Sequence, residues 1–204
     1  MLPGGVTRVS LLVVLSGPSG AGKDAVLSKM RESGFPFYYA VTATTRPRRA
    51  GESDGRDYRF ISEARFQDML QRGELLESAK VYGYWYGVPK LQVKQALDEG
   101  KDVMLKMDVQ GAATIRSLLP AAVLIFLTLP SMEDYEQRLR LRKTESDSEL
   151  KVRLGKVSEE MKSLALFDYM VMNRQDELDI AVSQIKAIVT AEKCRVNLRT
   201  VELK

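Results

Sequence analysis

The chain has 204 residues, of which 45% are hydrophobic and 28% are charged, a composition typical of a globular domain and unlike that of a disordered chain. Its formal net charge of +4 is concentrated at 46–49 and 138–143, two short basic clusters that suit phosphate groups as well as nucleic acid. The lack of histidine excludes an imidazole base or metal ligand, and the single cysteine, Cys194, excludes an internal disulfide and favours a reducing compartment.

Four apolar segments predict the strands of a buried, mostly parallel sheet: Val9–Leu15, Val103–Met107, Val123–Leu129 and, more weakly, Tyr169–Met172. Segments of helical period follow the strands, the first from about Lys23 to Arg31. Strand followed by helix, repeated, indicates an α/β fold with helices flanking the sheet. The first apolar run is too short to cross a membrane and no export signal is visible, so we expect a cytoplasmic protein without a membrane partner.

Residues 42–88 interrupt this alternation with charged turns, short aromatic stretches and one amphipathic helix near Glu63–Arg72, which predicts a small inserted subdomain. The polar segment Lys143–Glu149 lies between two helical segments and suits a mobile lid, although an ordinary exposed loop would have the same composition. We therefore expect a core of 1–41, 89–141 and 151–204, a subdomain of 42–88, and a lid of 142–150.

A phosphate-binding loop is predicted at 17–23, where G-x-x-x-x-G-K follows a strand and precedes a helix. Such a loop holds the phosphates of ATP with backbone N–H groups, the positive end of the helix dipole and the lysine. The expected ATP-binding residues are Gly17, Pro18, Ser19, Gly20, Ala21, Gly22, Lys23 and Asp24.

The position after the loop lysine departs from the pattern, because Asp24 replaces the serine or threonine whose hydroxyl ligates Mg²⁺. Asp24 could itself ligate Mg²⁺, or it could pair with a nearby cation and leave the metal to water and phosphate. Lys106 and Asp108, two residues apart on one predicted strand beside the loop, should point the same way. We expect an ion pair between Asp24 and Lys106; the alternative is that Lys106 faces solvent.

An arginine-rich stretch at 44–58 ends in Tyr58 and offers planar donors for a phosphate group, although a solvated charge run would also account for it. Its pattern, T-T-R-P-x-R-x-G-E-x-D-G-x-D-Y, precedes Glu74-Leu-Leu-Glu77, Tyr86-Gly87 and Asp108-Val-Gln-Gly111. In this order, and in register from about Leu12 to Ala187, the motifs resemble those of guanylate kinase. The resemblance implies the P-loop nucleoside monophosphate kinase fold, with a core, an acceptor-binding subdomain and a lid.

The resemblance also implies the substrates ATP and GMP, use of dGMP as a further acceptor, and Mg²⁺ as the cofactor. We expect no nucleic-acid partner and a monomer or homodimer. Glu77 would accept hydrogen bonds from the guanine N1–H and 2-amino group, which adenine cannot provide. The implied GMP-binding residues are Thr42, Arg46, Arg49, Glu52, Tyr58, Glu77, Tyr86 and Asp108. The implied catalytic residues are Lys23, Arg46, Arg142 and Arg153, with Arg138 and Asn173 on the ATP side.

Two departures from the family pattern concern the acceptor. Val88 stands where the family has a hydroxyl that helps to read the guanine 6-oxo group, and Tyr84-Trp85 replaces Asn-Tyr. Val88 leaves open a kinase with a different acceptor, while Asp24 and Lys106 leave open a binding module that has lost catalysis. Lys23, Arg142 and Arg153 favour an active kinase, since a binding module would be expected to lose them.

Overall fold

The computed structural model describes residues 9–81, 83–141 and 147–203. The strands are β1 Leu12–Ser16, β2 Phe37–Tyr39, β3 Ala43–Thr44, β4 Arg59–Phe60, β5 Leu75–Val81, β6 Tyr84–Pro89, β7 Asp102–Lys106, β8 Val123–Thr128 and β9 Tyr169–Met172. The helices are α1 Lys23–Glu32, α2 Glu63–Gln71, α3 Lys90–Asp98, α4 Val109–Leu118, α5 Met132–Leu141, α6 Asp147–Met161 and α7 Leu178–Lys193, with a 3₁₀ helix at Lys162–Leu166.

The main sheet has five parallel strands in the order β2-β7-β1-β8-β9, with helices on both faces, and the α/β fold class predicted from the sequence is confirmed. Strand β1 occupies the centre, and all five of its residues are buried. Val13 and Leu15 join the apolar core that includes α1 and α7, while Leu12 and Val14 face the core that includes α3 and α4. Burial on both faces explains why this strand is continuously apolar.

Several strand boundaries differ from the prediction. Strand β1 begins at Leu12 instead of Val9, because the Leu11 N–H donates to the Asp102 side chain and lies outside the ladder. Strand β7 ends at Lys106, so the expectation that Lys106 and Asp108 share one strand face is wrong. Asp108 is the N-cap of α4, and its Oδ1 accepts a hydrogen bond from the Gly111 N–H at 2.9 Å.

A second sheet has the order β4-β3-β6-β5, in which the hairpin of β5 and β6 supplies most of the pairing. Its strands lie between 43 and 89, whereas the inserted subdomain was predicted at 42–88, so β6 extends one residue beyond that prediction. Helix α2 begins at Glu63 as predicted, after Ser62 caps it, and Phe66 on this helix stacks on Trp85 with ring centroids 5.7 Å apart. The added aromatic bulk of Trp85 therefore serves packing.

Only part of the predicted lid can be placed. Residues 142–146, including Arg142, lie outside the described residues, whereas 147–150 already belong to helix α6. Within the ranges that are described, no helix is both long enough and apolar enough to cross a membrane.

The C-terminal segment after α7 is anchored to the main sheet, which the sequence did not indicate. Arg199 donates to Glu192, whose side chain is fully buried, and pairs with Asp168 at 3.2 Å. The Tyr169 hydroxyl also donates to Glu192, at 2.5 Å. Burial alone would raise the pKa of Glu192, but these hydrogen bonds hold it below its usual value. The ionised form of this buried carboxylate therefore depends on its hydrogen-bond partners.

Replacing Arg199 by alanine should lower the free energy of unfolding by about 2 kcal/mol, because the buried carboxylate of Glu192 loses its hydrogen bonds to Arg199, although Arg195 stays 3.4 Å away. Arg72→Ala is the matched control, since Arg72 caps the end of α2, is exposed and pairs with Asp68 of that helix. It should change stability by less than about 0.5 kcal/mol. Urea denaturation of both variants measures the difference. Equal losses would show that the C-terminal anchor contributes nothing.

Candidate active site

The phosphate loop lies between β1 and α1 and depends on backbone conformations that suit glycine. Gly17 and Gly22 have φ values of 134° and 94°, in the region that L side chains rarely adopt. A Cβ at Gly17 would lie 2.0 Å from the Leu127 carbonyl oxygen, and one at Gly22 would lie 2.4 Å from the Asn173 amide nitrogen. The loop is therefore packed against β8 and Asn173, and its glycines are required by contact as well as by conformation.

Lys23 begins helix α1 and is already held at the loop. Its ammonium donates to the carbonyl oxygens of Gly17 at 2.5 Å and Pro18 at 3.0 Å. Burial lowers the pKa of Lys23, while the carboxylates of Glu160 and Asp24 act in the opposite direction. The chain thus presents a partly buried cation and a helix N-terminus at the same place, which is an arrangement suited to an anionic phosphate.

The ion pair expected between Asp24 and Lys106 is present. Lys106 Nζ lies 2.6 Å from Asp24 Oδ1, and the Lys106 side chain is 13% exposed, which excludes the alternative that it faces solvent. The same ammonium lies 4.0 Å from the centre of the Tyr58 ring. Burial alone would lower the pKa of Lys106, but Tyr58 and Asp24 together raise it. Lys106 therefore stays charged, between the phosphate loop and the inserted subdomain.

One cavity of about 400 Å³ connects these groups. Its polar lining combines residues of the phosphate loop, the inserted subdomain, strand β7 and helix α6. The predicted residues along it are Gly17, Ser19, Gly20, Gly22, Lys23, Asp24, Thr42, Arg49, Tyr58, Glu77, Tyr86, Lys106, Asp108 and Arg153. The structure therefore brings the predicted ATP-side and acceptor-side residues to a single site.

Glu77 projects from β5 into this cavity and is only 6% exposed. Burial raises the pKa of Glu77 to about 8, the carboxylate of Asp108 contributes in the same direction, and a backbone hydrogen bond from Val88 acts against both. Gly111 allows α4 to approach, because a Cβ there would lie 3.0 Å from Glu77 Oε2. A pKa of about 8 favours the protonated form of Glu77 at neutral pH.

Arg46 organises the walls of the acceptor side and does not itself line the cavity. It is 7% exposed and donates to Glu52 at 2.7 Å and to the Tyr86 hydroxyl at 3.2 Å. The second oxygen of Glu52 accepts the backbone N–H of Arg49 at 2.8 Å. Glu52 thus links Arg46 and Arg49 and fixes their relative positions, which is the supporting role expected of it in the arginine cluster.

Arg138 and Asn173 contact the loop and are not among the cavity-lining residues of the described ranges. The Asn173 side chain donates to the Ala21 carbonyl at 2.8 Å, and Arg138 donates to the carbonyls of Ala21 and Asn173. These contacts support the rear of the phosphate loop. Their role in binding ATP stays a prediction.

Sequence reasoning missed several features of the cavity. Glu160, Met107, Ala79 and Val81 line it, but none belongs to a motif that could have identified it. The Val88 side chain is fully buried in the core, and the residue serves Glu77 through its backbone N–H.

Comparisons with known proteins agree with this geometry. The sequence profile of the guanylate kinase family matches residues 10–192. The chain belongs to the guanylate kinase family. It is 44% identical over 194 residues to a chloroplastic/mitochondrial guanylate kinase of Oryza sativa subsp. japonica, covering 95% of this chain and 68% of that protein. It is 43% identical over 192 residues to a guanylate kinase of Caldanaerobacter subterraneus, covering 94% and 92%.

A solved member of the guanylate kinase family has the same fold. The crystal structure of guanylate kinase from Anaplasma phagocytophilum matches with a TM-score of 0.75 and 29% identity, and the match covers 93% of this chain and 89% of that one. The nucleoside monophosphate kinase fold implied by the sequence motifs is thereby confirmed.

A double-mutant cycle tests whether Asp24 and Lys106 act as a unit. Asp24→Ser should lower turnover at least about tenfold, because it leaves the buried Lys106 ammonium uncompensated. Adding Lys106→Asp should restore most of that loss by recreating a hydroxyl and carboxylate pair. Steady-state kinetics of the two single variants and the double variant measure the coupling. Independent, additive losses would contradict it.

Proposed function

We propose that the chain transfers the γ-phosphoryl group of ATP to GMP, and also to dGMP, producing ADP and the nucleoside diphosphate. The observation that carries the proposal is the single cavity in which the phosphate loop with Lys23 faces the buried carboxyl group of Glu77. The first feature suits a triphosphate and the second suits a guanine base. Membership of the guanylate kinase family supports the same reaction.

On the donor side, Lys23 and the N–H groups of the loop bind the β- and γ-phosphates. The ammonium of Lys23 is held by two carbonyls, so it is in place before the nucleotide arrives. Arg153 at the cavity and Arg142, outside the described residues, neutralise charge on the transferring group. Positioning and electrostatics provide most of the catalysis, and no general base is needed because the acceptor phosphate oxygen is already ionised.

On the acceptor side, Arg49, Tyr58 and Tyr86 bind the phosphate of GMP, with Arg46 and Glu52 fixing their positions. Guanine donates its N1–H and 2-amino hydrogens to Glu77, which must be ionised to accept both. Adenine presents an acceptor at N1 and leaves the carboxyl group unsatisfied, which is a strong basis for rejection. Asp108 lies beside this site, where its charge adds to the electrostatic cost of ionising Glu77.

Magnesium fits this site only as a companion of the nucleotide. Asp24 could contribute a carboxylate oxygen, but Oδ1 is engaged by Lys106, and the described residues contain no cluster of three acidic or cysteine side chains for a metal. When bound with ATP, Mg²⁺ would offset the charge of the β- and γ-phosphates. A cytoplasmic location and a monomeric or homodimeric state stay predictions of the sequence.

A coupled ADP-release assay with ATP, Mg²⁺ and each nucleoside monophosphate in turn tests the proposal. GMP should be the preferred acceptor, exceeding AMP by about 10⁴-fold in kcat/KM, because AMP leaves the buried carboxyl group unpaired. Preference for another nucleotide would indicate a kinase with a different acceptor. Binding of GMP without turnover under any divalent metal would instead indicate a binding module.

A further inference from the structure

Glu160 is an acidic, cavity-lining residue to which the proposed reaction gives no role. It lies near the end of α6, and its Oε2 accepts a hydrogen bond from the backbone N–H of Ser19 at 3.2 Å. This bond joins residues 141 positions apart in sequence. It attaches helix α6 directly to the phosphate loop.

The charge of Glu160 does not itself favour nucleotide binding. Burial raises the pKa of Glu160, while the Ser19 N–H and the ammonium of Lys23 act in the opposite direction. A carboxylate beside a bound triphosphate repels it, so its presence weakens the affinity for ATP unless another effect compensates. The contribution of Glu160 must then come from the contact that it makes with the loop.

The same face of α6 carries Arg153. Arg153, Val157 and Glu160 follow the i, i+4, i+7 spacing of one helix face, and the first and last of them line the cavity. Val157 between them is fully buried in the core, and Leu154 and Met161 pack against that core. Helix α6 is therefore packed firmly against the core. Glu160 attaches it to the phosphate loop near one end, and Arg153 lies two turns, about 10 Å, away along the helix.

We infer that Glu160 is a positioning residue, which bonds the phosphate loop and thereby fixes α6 so that Arg153 meets the phosphoryl group held at Lys23. The inference rests on the proposed function, because the role of Arg153 belongs to it. A displacement of about 1 Å in a group that stabilises the transition state lowers the rate by about 100-fold, so the anchor matters more than the strength of one hydrogen bond suggests.

Three substitutions separate the hydrogen bond from the charge. Glu160→Gln keeps an oxygen acceptor at the same reach, Glu160→Asp keeps the charge but is one methylene too short, and Glu160→Ala removes both. The Asp and Ala variants should lose at least about tenfold in kcat, with the KM for ATP changed by less than about threefold, because positioning affects the transition state more than binding. The Gln variant should lose no more than about threefold.

Glu159→Ala is the matched control, since Glu159 is the neighbouring acid on α6 but is exposed and pairs with Lys162. Its kcat should stay within about twofold of the unmodified chain. If Glu160→Ala does not fold, the comparison of Gln with Asp still decides the question. A Gln variant as impaired as the Asp variant, or an Asp variant as active as the unmodified chain, would overturn the inference.

The coupling to Arg153 is tested in an Arg153→Ala background, where Glu160→Asp should reduce kcat by less than about twofold. A full independent loss there would show that Glu160 does not act through Arg153. Hydrogen exchange of the amides in 150–161 provides a readout that needs no acceptor: exchange should accelerate in Glu160→Asp and not in Glu159→Ala. Unchanged hydrogen exchange in Glu160→Asp would show that Glu160 does not hold α6 in place. Failure of the unmodified chain to phosphorylate GMP would instead contradict only the proposed function.

Discussion

The rest of the structure depends on the burial of strand β1 at the centre of a parallel sheet. Its ladder with β7 pairs Leu15 with Lys106, and its ladder with β8 pairs Ser16 with Phe126. Because all strands run the same way, their carboxyl ends meet at one edge, where the phosphate loop follows β1 and Lys106 ends β7. The apolar core therefore sets the distance between the triphosphate-binding loop and the wall of the acceptor site.

Opposite charges offset each other at that edge of the sheet. Asp24 places a carboxylate beside the site of a triphosphate, and Lys106 pairs with it from the neighbouring strand. Lys106 also touches Tyr58, so one ammonium group joins the donor loop to the acceptor subdomain. The pair differs from a hydroxyl and carboxylate pair in net charge, with one negative charge fewer next to the phosphates.

Features that are marked by a motif or by a short hydrophobic pattern could be predicted from the sequence. The phosphate loop, the helix after it, the buried strands and the Asp24–Lys106 pair follow from spacing and strand order. The ordered motifs also named Glu77, Arg49 and Arg153, which line the cavity. Contacts between distant segments that no motif marks could not be predicted this way. The edge strand β2 has only three residues, Asp108 caps a helix where a strand was expected to continue, and Glu160 meets Ser19 across 141 positions. Val88 similarly acts through its backbone, which its side chain does not reveal.

The central claim is that a buried, protonated Glu77 reads guanine by ionising when the base binds. Calorimetric titration of GMP at pH 7, in two buffers of different ionisation enthalpy, measures the protons exchanged on binding. A group with a pKa of about 8 is mostly protonated at pH 7, and hydrogen bonds to the carboxylate favour its charged form, so most of one proton should be released for each GMP bound. Glu77→Gln should show only the small exchange of the nucleotide phosphate. Equal proton exchange in the two proteins would contradict the claim.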